Sequence, residues 1–350
     1  MPFGELGSGL REFLVERLPS VARDIDVSNE LPSQVIEELS SLGGFDVESL
    51  GPGGVLEAVR LASRSSPALA HVILVHATSF VASGASGGNI LAFSVSEPGG
   101  GSDLRSNLKT RAVEDGSFAK VRGVKSFTSN AVYASEFIVL AVGPGGPTLY
   151  SVKRDPDTVR VKPLDLVGLR GCGVAMVEYL DAEAVRVGSP GMGIKEALRG
   201  INFGRLGYAA IGIGIAEGAL MYAYRASSAR VLFGSGLLEM QGPRWMLAEV
   251  YRKLVAVRAL VREAVMEAGK GWNVDPVKAS IAKLLGAELA REATWVAIQL
   301  QGGRGLSRWS DAERLWRDSR ILDIGEGARE TLMDFIASRL LKSMGEGGEW

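Results

Sequence analysis

The sequence predicts an α+β chain in three parts: a helical N-terminal region, a middle region of short strands, and a C-terminal helix bundle. Three changes of rhythm carry this reading. Up to about residue 86, apolar residues recur at spacings of three and four. Between about Leu91 and Val187 the apolar runs are short, β-rich and separated by Gly, Pro and Asp. From about Ile194 long helical patterns return. With 350 residues, 46% apolar and 23% charged, the chain is long enough to bury a large core.

In the first part, "LREFLVERL" and "PSQVIEELSSLG" have helical spacing, and Gly43-Gly44 stops the second. "GGVLEAVRLASRSSPALAHVILVHATSFVASG" gives two further apolar helices, broken near Pro67. In the middle, "AKVRGVKSF", "EFIVLAVG", "TLYSVKRD", "VRVKPLDL" and "VAMVEYLD" read as strands of an antiparallel barrel or sandwich. In the last part, Leu247, Val250, Leu254, Val257 and Val261 form the seam of a bundle helix. "PVKASIAKLLGAELAREATWVAIQL" is another helix, and "SDAERLWRDS" opens with a capping box, Ser310 and Glu313. The last helix, "ARETLMDFIASRLLKSM", puts Leu332, Phe335, Ile336 and Leu340 on one face. No internal repeat and no low-complexity linker interrupts this plan.

Charge and composition exclude several functions. The formal net charge is −1, which gives no general drive toward nucleic acid or an anionic membrane. Residues 1–90 hold 5 Lys and Arg against 11 Asp and Glu, and the remainder 34 against 29, so an anionic ligand belongs on the later part. Cys172 is the only cysteine, and His71 and His76 are the only histidines. No internal disulfide, no Cys/His zinc site and no Ser-His-Asp triad follow from these, and no metal is expected. The two histidines, five apart in an apolar helix, read as packing. The N-terminus lacks the basic and apolar sections of a secretory signal, and no run approaches the roughly 18 apolar residues of a membrane helix. A cytoplasmic location is the expectation.

Five stretches offer chemistry. In "FSVSEPGGGSD", residues 93–103, three successive glycines free backbone N–H groups beside a serine, which suits a phosphate or a ring; the loop reads equally as a turn. "RGVKSFTSNA", residues 122–131, mixes hydroxyls with Phe127. "FGRLGYAAIGIGIAEGALMYAYRASSARVLFG", residues 203–234, is a helix carrying Gly207, Gly212, Gly214 and Gly218, small enough for a flat group or another helix to pack close, with Arg205 near its start and Arg230 near its end. "QLQGGRG" ends a helix with a glycine cap. In "ILDIGEGARE", residues 321–330, Glu326 stands between Gly325 and Gly327 just before a helix. That acid is either an ordinary helix-start carboxylate or a base with room beside a substrate.

Taken in order, "SVSEPGGGSD", "GVKSFTSNA", "LVGLRG", "ARVLFGSGLLEMQ", "QLQGGRG" and "RDSRILDIGEGARE" resemble the acyl-CoA dehydrogenase family of flavoproteins over about residues 50–345. The resemblance implies a shortened all-α domain at 1–88, a flavin-binding antiparallel β-barrel at 89–190, and a four-helix bundle at 191–350 with the catalytic base and the oligomer interface. It implies bound FAD, an acyl-CoA substrate, electron-transferring flavoprotein as electron acceptor, and a homo-oligomer, dimer or tetramer, sharing FAD sites across its interface; no nucleic acid and no membrane partner.

The resemblance also assigns residues. Phe93, Val95 and Ser96 would line the flavin ring, with Gly101 and Ser102 at the pyrophosphate or the pantetheine arm. Phe127 takes the place of the family's flavin-packing tryptophan, and Ser129 that of its flavin-bonding threonine. Arg230, Phe233, Gln241, Gln299 and Gly303 match segments that reach a neighbour's FAD, and Ala328 and Glu330 also fall on the cofactor side. Arg205, Asn202, Gly325 and Gly327 would sit at the substrate. Glu326 matches the catalytic glutamate, which takes the thioester α-proton as a β-hydride leaves for the flavin. Burial would raise its pKa, while the helix after it favours the charged form. Other members carry the base just before the arginine matching Arg205; here that position is Gly204, which leaves Glu326.

Two features depart from the family. Gly325 replaces a tyrosine and Ala328 a threonine, and the first change is expected to enlarge the acyl pocket. The stretch before "LAFSVSEP" is short in a segment that helps cover that pocket. A flavin monooxygenase or oxidase on the same fold would differ in oxygen reactivity, and a non-catalytic relative would lack the yellow flavin.

Overall fold

Among the described residues five helices precede the first strand, and their limits follow local chemistry. In the computed structural model, which describes residues 2–85, 90–116 and 118–346, α1 (Ser8–Glu12) passes through one wide turn into α2 (Leu18–Ser28), which ends where Asn29 turns left-handed at φ 57°. After α3 (Ser33–Ser41), Gly43 is left-handed at φ 76°. α4 (Val47–Ser63) is capped by the Asp46 carboxylate, which accepts the Ser49 N–H at 3.1 Å, and is broken at Gly51, where φ is 60° and ψ 175°. α5 (Pro67–Ser83) starts on a proline behind a Ser66 cap, the break expected near Pro67.

Seven strands make the middle layer: β1 (Leu91–Ser94), β2 (Arg111–Asp115), β3 (Phe118–Thr128), β4 (Glu136–Gly143), β5 (Gly146–Lys153), β6 (Val159–Pro163) and β7 (Ala175–Arg186). β2, β3, β7, β5 and β4 pair in turn, and β4 pairs back to β2, so the sheet closes into a barrel. The pairings are antiparallel except along one edge of β4, where β1 and β2 lie end to end and both run parallel to it. The loop between them must therefore fold over the barrel, which places the glycine-rich stretch at its rim. β1 and β2 are not among the strands expected from the sequence.

The last part holds α6 (Gly193–Ser228), a hairpin β8 (Val231–Leu232) and β9 (Ser235–Gly236), then α7 (Gln241–Ala268), α8 (Pro276–Gln301), α9 (Asp311–Ser319) and α10 (Arg329–Gly345). α6 is the central element and packs on α4, α5, α7, α8 and α9. Its glycines are sites of helix contact rather than of a flat ligand. A Cβ on Gly207 would run into the Leu74 side chain of α5, one on Gly212 would lie 2.7 Å from the Gly286 carbonyl carbon of α8, and those on Gly214 and Gly218 would strike the Arg60 and Arg64 carbonyls of α4. One apolar core therefore runs through the N-terminal and C-terminal helices, while the barrel has its own. By length and composition α6 could cross a membrane, contrary to the sequence reading, but 78% of its apolar window is buried inside the chain and it serves as a core helix.

Some expectations change. Arg205 stands a third of the way along α6 because the helix begins at Gly193. The capping box on α9 is half formed: Ser310 accepts the Ala312 N–H, but Glu313 turns to Arg317 at 2.6 Å, a charged partner that outcompetes a backbone N–H. Of the apolar face on α10, Leu332 alone is buried. The expected junction at residues 88/89 and the shortened segment beside it fall at residues 86–89, outside the described residues, as does the chain end after 346.

The Arg317 guanidinium ties three regions together. It holds both Asp26 carboxylate oxygens, at 2.8 and 2.7 Å, and the Val167 carbonyl at 3.2 Å, while the neighbouring Asp318 accepts the Leu169 N–H at 2.6 Å. Breaking one side of a buried pair leaves a charge short of partners. Asp26→Ala is expected to destabilise the protein by about 3 kcal/mol, read as a lower urea midpoint; a wild-type midpoint would contradict this role.

Candidate active site

The segment between α9 and α10 folds into a turn that needs outside support. Gly325 N–H closes on the Ile321 carbonyl at 2.9 Å, and then Glu326 and Gly327 are both left-handed, at φ 56° and 107°. Glycine adopts this freely; glutamate does so at a cost of about 1 kcal/mol or more. Two cations, buried Lys283 and half-buried Arg205, fix the turn through its carbonyls. Arg205 Nε donates to the Glu326 carbonyl at 3.0 Å, and Lys283 Nζ of α8 donates to the Gly327 carbonyl at 2.7 Å. Arg205 is aimed by Asn202 Oδ1 at 2.8 Å and by Ser280 Oγ at 3.3 Å.

This turn points the Glu326 carboxylate at Gly204 of α6: a Cβ there would lie 2.7 Å from the Glu326 carboxyl carbon. Glycine at 204 thus leaves room for the glutamate. Glu326 as a whole is half-buried. Burial of its carboxylate nonetheless pushes its pKa up to about 7, against the opposing charges of Arg205 and Lys283. Desolvation by the surrounding protein outweighs the charges. Lys283 is itself pushed down to about 8 by burial.

Gly325 does not enlarge a pocket. A Cβ on it would collide with the Tyr208 hydroxyl oxygen and lie 2.8 Å from Cζ of that ring. Tyr208 belongs to α6, one turn beyond Gly204, and is 3% exposed. An aromatic ring therefore fills the space next to the base, supplied by a different helix. Against Tyr208 stands His71 of α5, edge-on with ring centroids 5.8 Å apart. His71 Nε2 lies 2.9 Å from Ser129 Oγ, its Nδ1 has no hydrogen-bond partner among the described residues, and burial pushes its pKa down to about 4, so the ring is neutral at pH 7. His76 is the structural member of the pair: its Nε2 meets the Phe45 carbonyl at 2.9 Å and its Nδ1 accepts the Leu91 N–H.

The barrel side offers a face for a flat cofactor. The loop after β1 is pinned by buried Glu97, which accepts the Lys109 and Thr110 N–H groups at 2.9 Å each and pairs with Lys125 at 2.9 Å. Burial works against the Glu97 charge, but Lys125 and these bonds hold its pKa below the usual value. The anchored loop then carries Gly101 and Ser102, both exposed, with Val95 buried and Phe93 and Ser96 partly buried behind. Phe127, left-handed at φ 51°, presents a ring that is 66% exposed, beside Ser129. An exposed ring held by strained backbone, next to a fixed hydroxyl and a glycine cradle, fits the flavin of FAD.

The other expected residues stand in two places. Ala328 caps α10 and Glu330 lies exposed in its first turn. Arg230 NH1 donates to the Leu300 carbonyl at 2.8 Å, at the far end of α6 and α8, with Gln299 and Gly303 exposed nearby. From Arg205 to the end of α6 is 23 residues, about 35 Å of helix. Phe233, 99% exposed, tips the hairpin before Gln241. Lys283 and Tyr208 escape a sequence reading; their signals are a lysine among the small residues of α8 and one aromatic in the glycine-rich stretch of α6. A cleft of about 1020 Å³ beside the start of α6 is lined by Arg105, Lys195, Glu196, Arg199 and Asn202 among others. Another, of about 630 Å³, lies away from this site between α7 and α8 around Trp295 and Trp316. Among the described residues no cluster suited to a metal exists.

Fold and site together define a flavoprotein of the acyl-thioester class, and comparison with known proteins agrees. The family model "Acyl-CoA dehydrogenase, middle domain" matches residues 92–182, and "Acyl-CoA dehydrogenase, C-terminal domain" matches 191–341. The chain is 30% identical to the mitochondrial short-chain specific acyl-CoA dehydrogenase of Bos taurus, over 95% of this chain and 88% of that one. It is 27% identical to the caffeyl-CoA reductase-Etf complex subunit CarC of Acetobacterium woodii, over 95% and 96%. The solved butyryl-CoA dehydrogenase of Megasphaera elsdenii superposes with a TM-score of 0.87 at 25% identity, over 96% and 99%. The chain belongs to the acyl-CoA dehydrogenase family. It is an FAD-dependent oxidoreductase acting on CH–CH bonds.

The Tyr208–Gly325 contact generates a test. Gly325→Ala is expected to destabilise the protein by about 1–3 kcal/mol through overpacking. In a Tyr208→Ala background the same change should cost far less, so a double-mutant cycle by urea unfolding should be strongly non-additive. Additive effects would contradict the contact.

Proposed function

We propose that the protein dehydrogenates an acyl-CoA thioester between its α and β carbons, with Glu326 as the base. The observation that carries this is a carboxylate raised to about neutrality, facing the empty Gly204 position and held in a left-handed turn by Arg205 and Lys283. A thioester α-proton is weakly acidic, so a base near pKa 7 is matched to it at neutral pH. Clamping both carbonyls of the turn fixes the carboxylate over the substrate and leaves the Glu326 N–H to polarise the thioester oxygen. FAD, when bound along Phe93, Val95, Ser96, Phe127 and Ser129, supplies the acceptor for the β-hydride. Gly101 and Ser102 serve its pyrophosphate or the pantetheine arm, Ala328 and Glu330 lie on its side of the turn, and Asn202, Gly325 and Gly327 border the substrate.

The cleft lined by Asn202 suits the pantetheine arm, with Arg105, Lys195 and Arg199 on its walls to meet phosphate charge. We assign Arg230, Phe233, Gln241, Gln299 and Gly303 to the FAD of a second copy, since about 35 Å of α6 separates them from Glu326 in one chain. A fully exposed phenylalanine at a hairpin tip and the exposed tryptophans Trp245, Trp295 and Trp316 support a homo-oligomer, a dimer or tetramer. Electron-transferring flavoprotein is the proposed acceptor, supported by the Etf complex named for the Acetobacterium relative. We read residues 1–88, 89–190 and 191–350 as the three units of this enzyme, located in the cytoplasm.

Anaerobic mixing of the FAD-loaded protein with a panel of acyl-CoAs is expected to bleach the flavin absorbance. Glu326→Gln should slow bleaching by at least about 10²-fold and leave FAD bound. If no thioester bleaches the flavin, or Glu326→Gln does so at the wild-type rate, the assignment fails. The pH dependence has a definite sign. Glu326 must be ionised to act, so bleaching should fall about tenfold per unit below a midpoint near 7. Lys283 favours the carboxylate, so Lys283→Met should move that midpoint upward; an unmoved midpoint would remove Lys283 from the site's electrostatics.

A further inference from the structure

We infer that His71 is a positioning residue for the cofactor: its Nε2–H donates to Ser129 Oγ, which leaves the Ser129 hydroxyl hydrogen free to donate to the flavin ring. This rests on the flavin placement proposed above. It does not depend on which thioester is oxidised.

The contact sits on a clamped turn. Phe127 and Asn130 are both left-handed, at φ 51° and 63°. The buried Asn130 side chain donates to the Val72 carbonyl of α5 at 2.9 Å and to the Leu91 carbonyl of β1 at 3.0 Å. His71 and Val72 are consecutive, as are Ser129 and Asn130, so clamp and contact join the same two segments. The 2.9 Å between His71 Nε2 and Ser129 Oγ is therefore held from both sides. His71 is 3% exposed, whereas Ser129 is partly exposed and stands two residues from the exposed Phe127 ring. The exposed part of Ser129 is what the His71 ring does not cover.

The position of one proton decides what Ser129 offers to a cofactor. A neutral imidazole carries a single N–H, and the buried His71 ring is neutral at pH 7. Its Nδ1 has no partner among the described residues. A proton there would be a buried N–H without an acceptor, which folded proteins rarely tolerate. A proton on Nε2 finds the Ser129 oxygen instead. Ser129 Oγ then accepts from His71 and donates elsewhere. Oxidised flavin carries ring-nitrogen and carbonyl acceptors, and a hydroxyl donating to one of them changes how readily the ring takes electrons. In the reverse arrangement Ser129 would give its hydrogen to His71 and present lone pairs only. His76 is the contrast within the same helix. Both of its nitrogens are bonded to backbone, at the Phe45 carbonyl and the Leu91 N–H, so its proton serves the fold alone.

Two measurements without any thioester test this. His71 and His76 are the only histidines, so nitrogen NMR of untagged, FAD-loaded protein with isotope-labelled histidine reads both rings. Both are expected to be neutral with the proton on Nε2; a proton on Nδ1 of His71 overturns the proposal. The second measurement is the midpoint potential of the bound flavin. Ser129→Ala and His71→Leu are expected to shift it in the same direction, each by about threefold to tenfold in the oxidised-to-reduced equilibrium, or about 15–30 mV for a two-electron couple. The double variant should shift it no further than Ser129→Ala alone. His71→Gln, which keeps an N–H at similar reach, should restore the wild-type value. An unmoved potential in Ser129→Ala overturns the proposal even if no His71 variant folds. So does a His71→Leu shift that adds to that of Ser129→Ala, or a folded His71→Gln protein that behaves as His71→Leu. The expected shifts in a protein whose flavin no thioester bleaches would uphold the role of His71 while refuting the dehydrogenation reading.

Discussion

One buried and one half-buried cation, holding two consecutive carbonyls, form the constraint on which the site depends. Arg205 on α6 and Lys283 on α8 bind the carbonyls of Glu326 and Gly327. Without them, a glutamate in a left-handed conformation would relax and carry its carboxylate away from α6. The same cations set the electrostatics: burial raises the Glu326 pKa, and their charge keeps the rise to about 7. One arrangement therefore supplies position and basicity together. It can do so because both helices run through the same core.

That core is made possible by the bare surface of α6. Gly207, Gly212, Gly214 and Gly218 let α4, α5 and α8 approach until side chain or backbone meets the glycine directly. Each glycine costs about 1 kcal/mol of helix propensity, and close packing on several sides offsets it. As a result Arg205, Gly204 and Tyr208, all on α6, are located to within small tolerances relative to His71 on α5 and Lys283 on α8. The barrel stands on its own core and meets the helices through a smaller apolar contact.

Much of this was legible in the residues. The change from helical to alternating rhythm marked the barrel, because burial on one face imposes a period of two or of 3.6. The order of glycine-rich and acidic motifs carried the family and its FAD, and Glu326 stood out because two glycines flank it. The parallel pairings at β4 were not legible, since the direction of a neighbour leaves no trace in a strand's own pattern. Nor was Lys283, because a lysine in a helix reads as solvated until a carbonyl is found beside it.

The residue at 325 shows where the two kinds of information divide. By itself the sequence determined that no side chain stands before the base, that the base is a carboxylate at the start of a helix, and that position 204 is bare. It suggested that the missing tyrosine leaves a larger pocket. Only the tertiary structure decided otherwise, because the occupied volume beside Gly325 belongs to Tyr208, 117 residues earlier in the chain. Local pattern specifies which groups are present at a position. Which groups share a space depends on how α6 lies against the turn, and that follows from packing summed over the whole core.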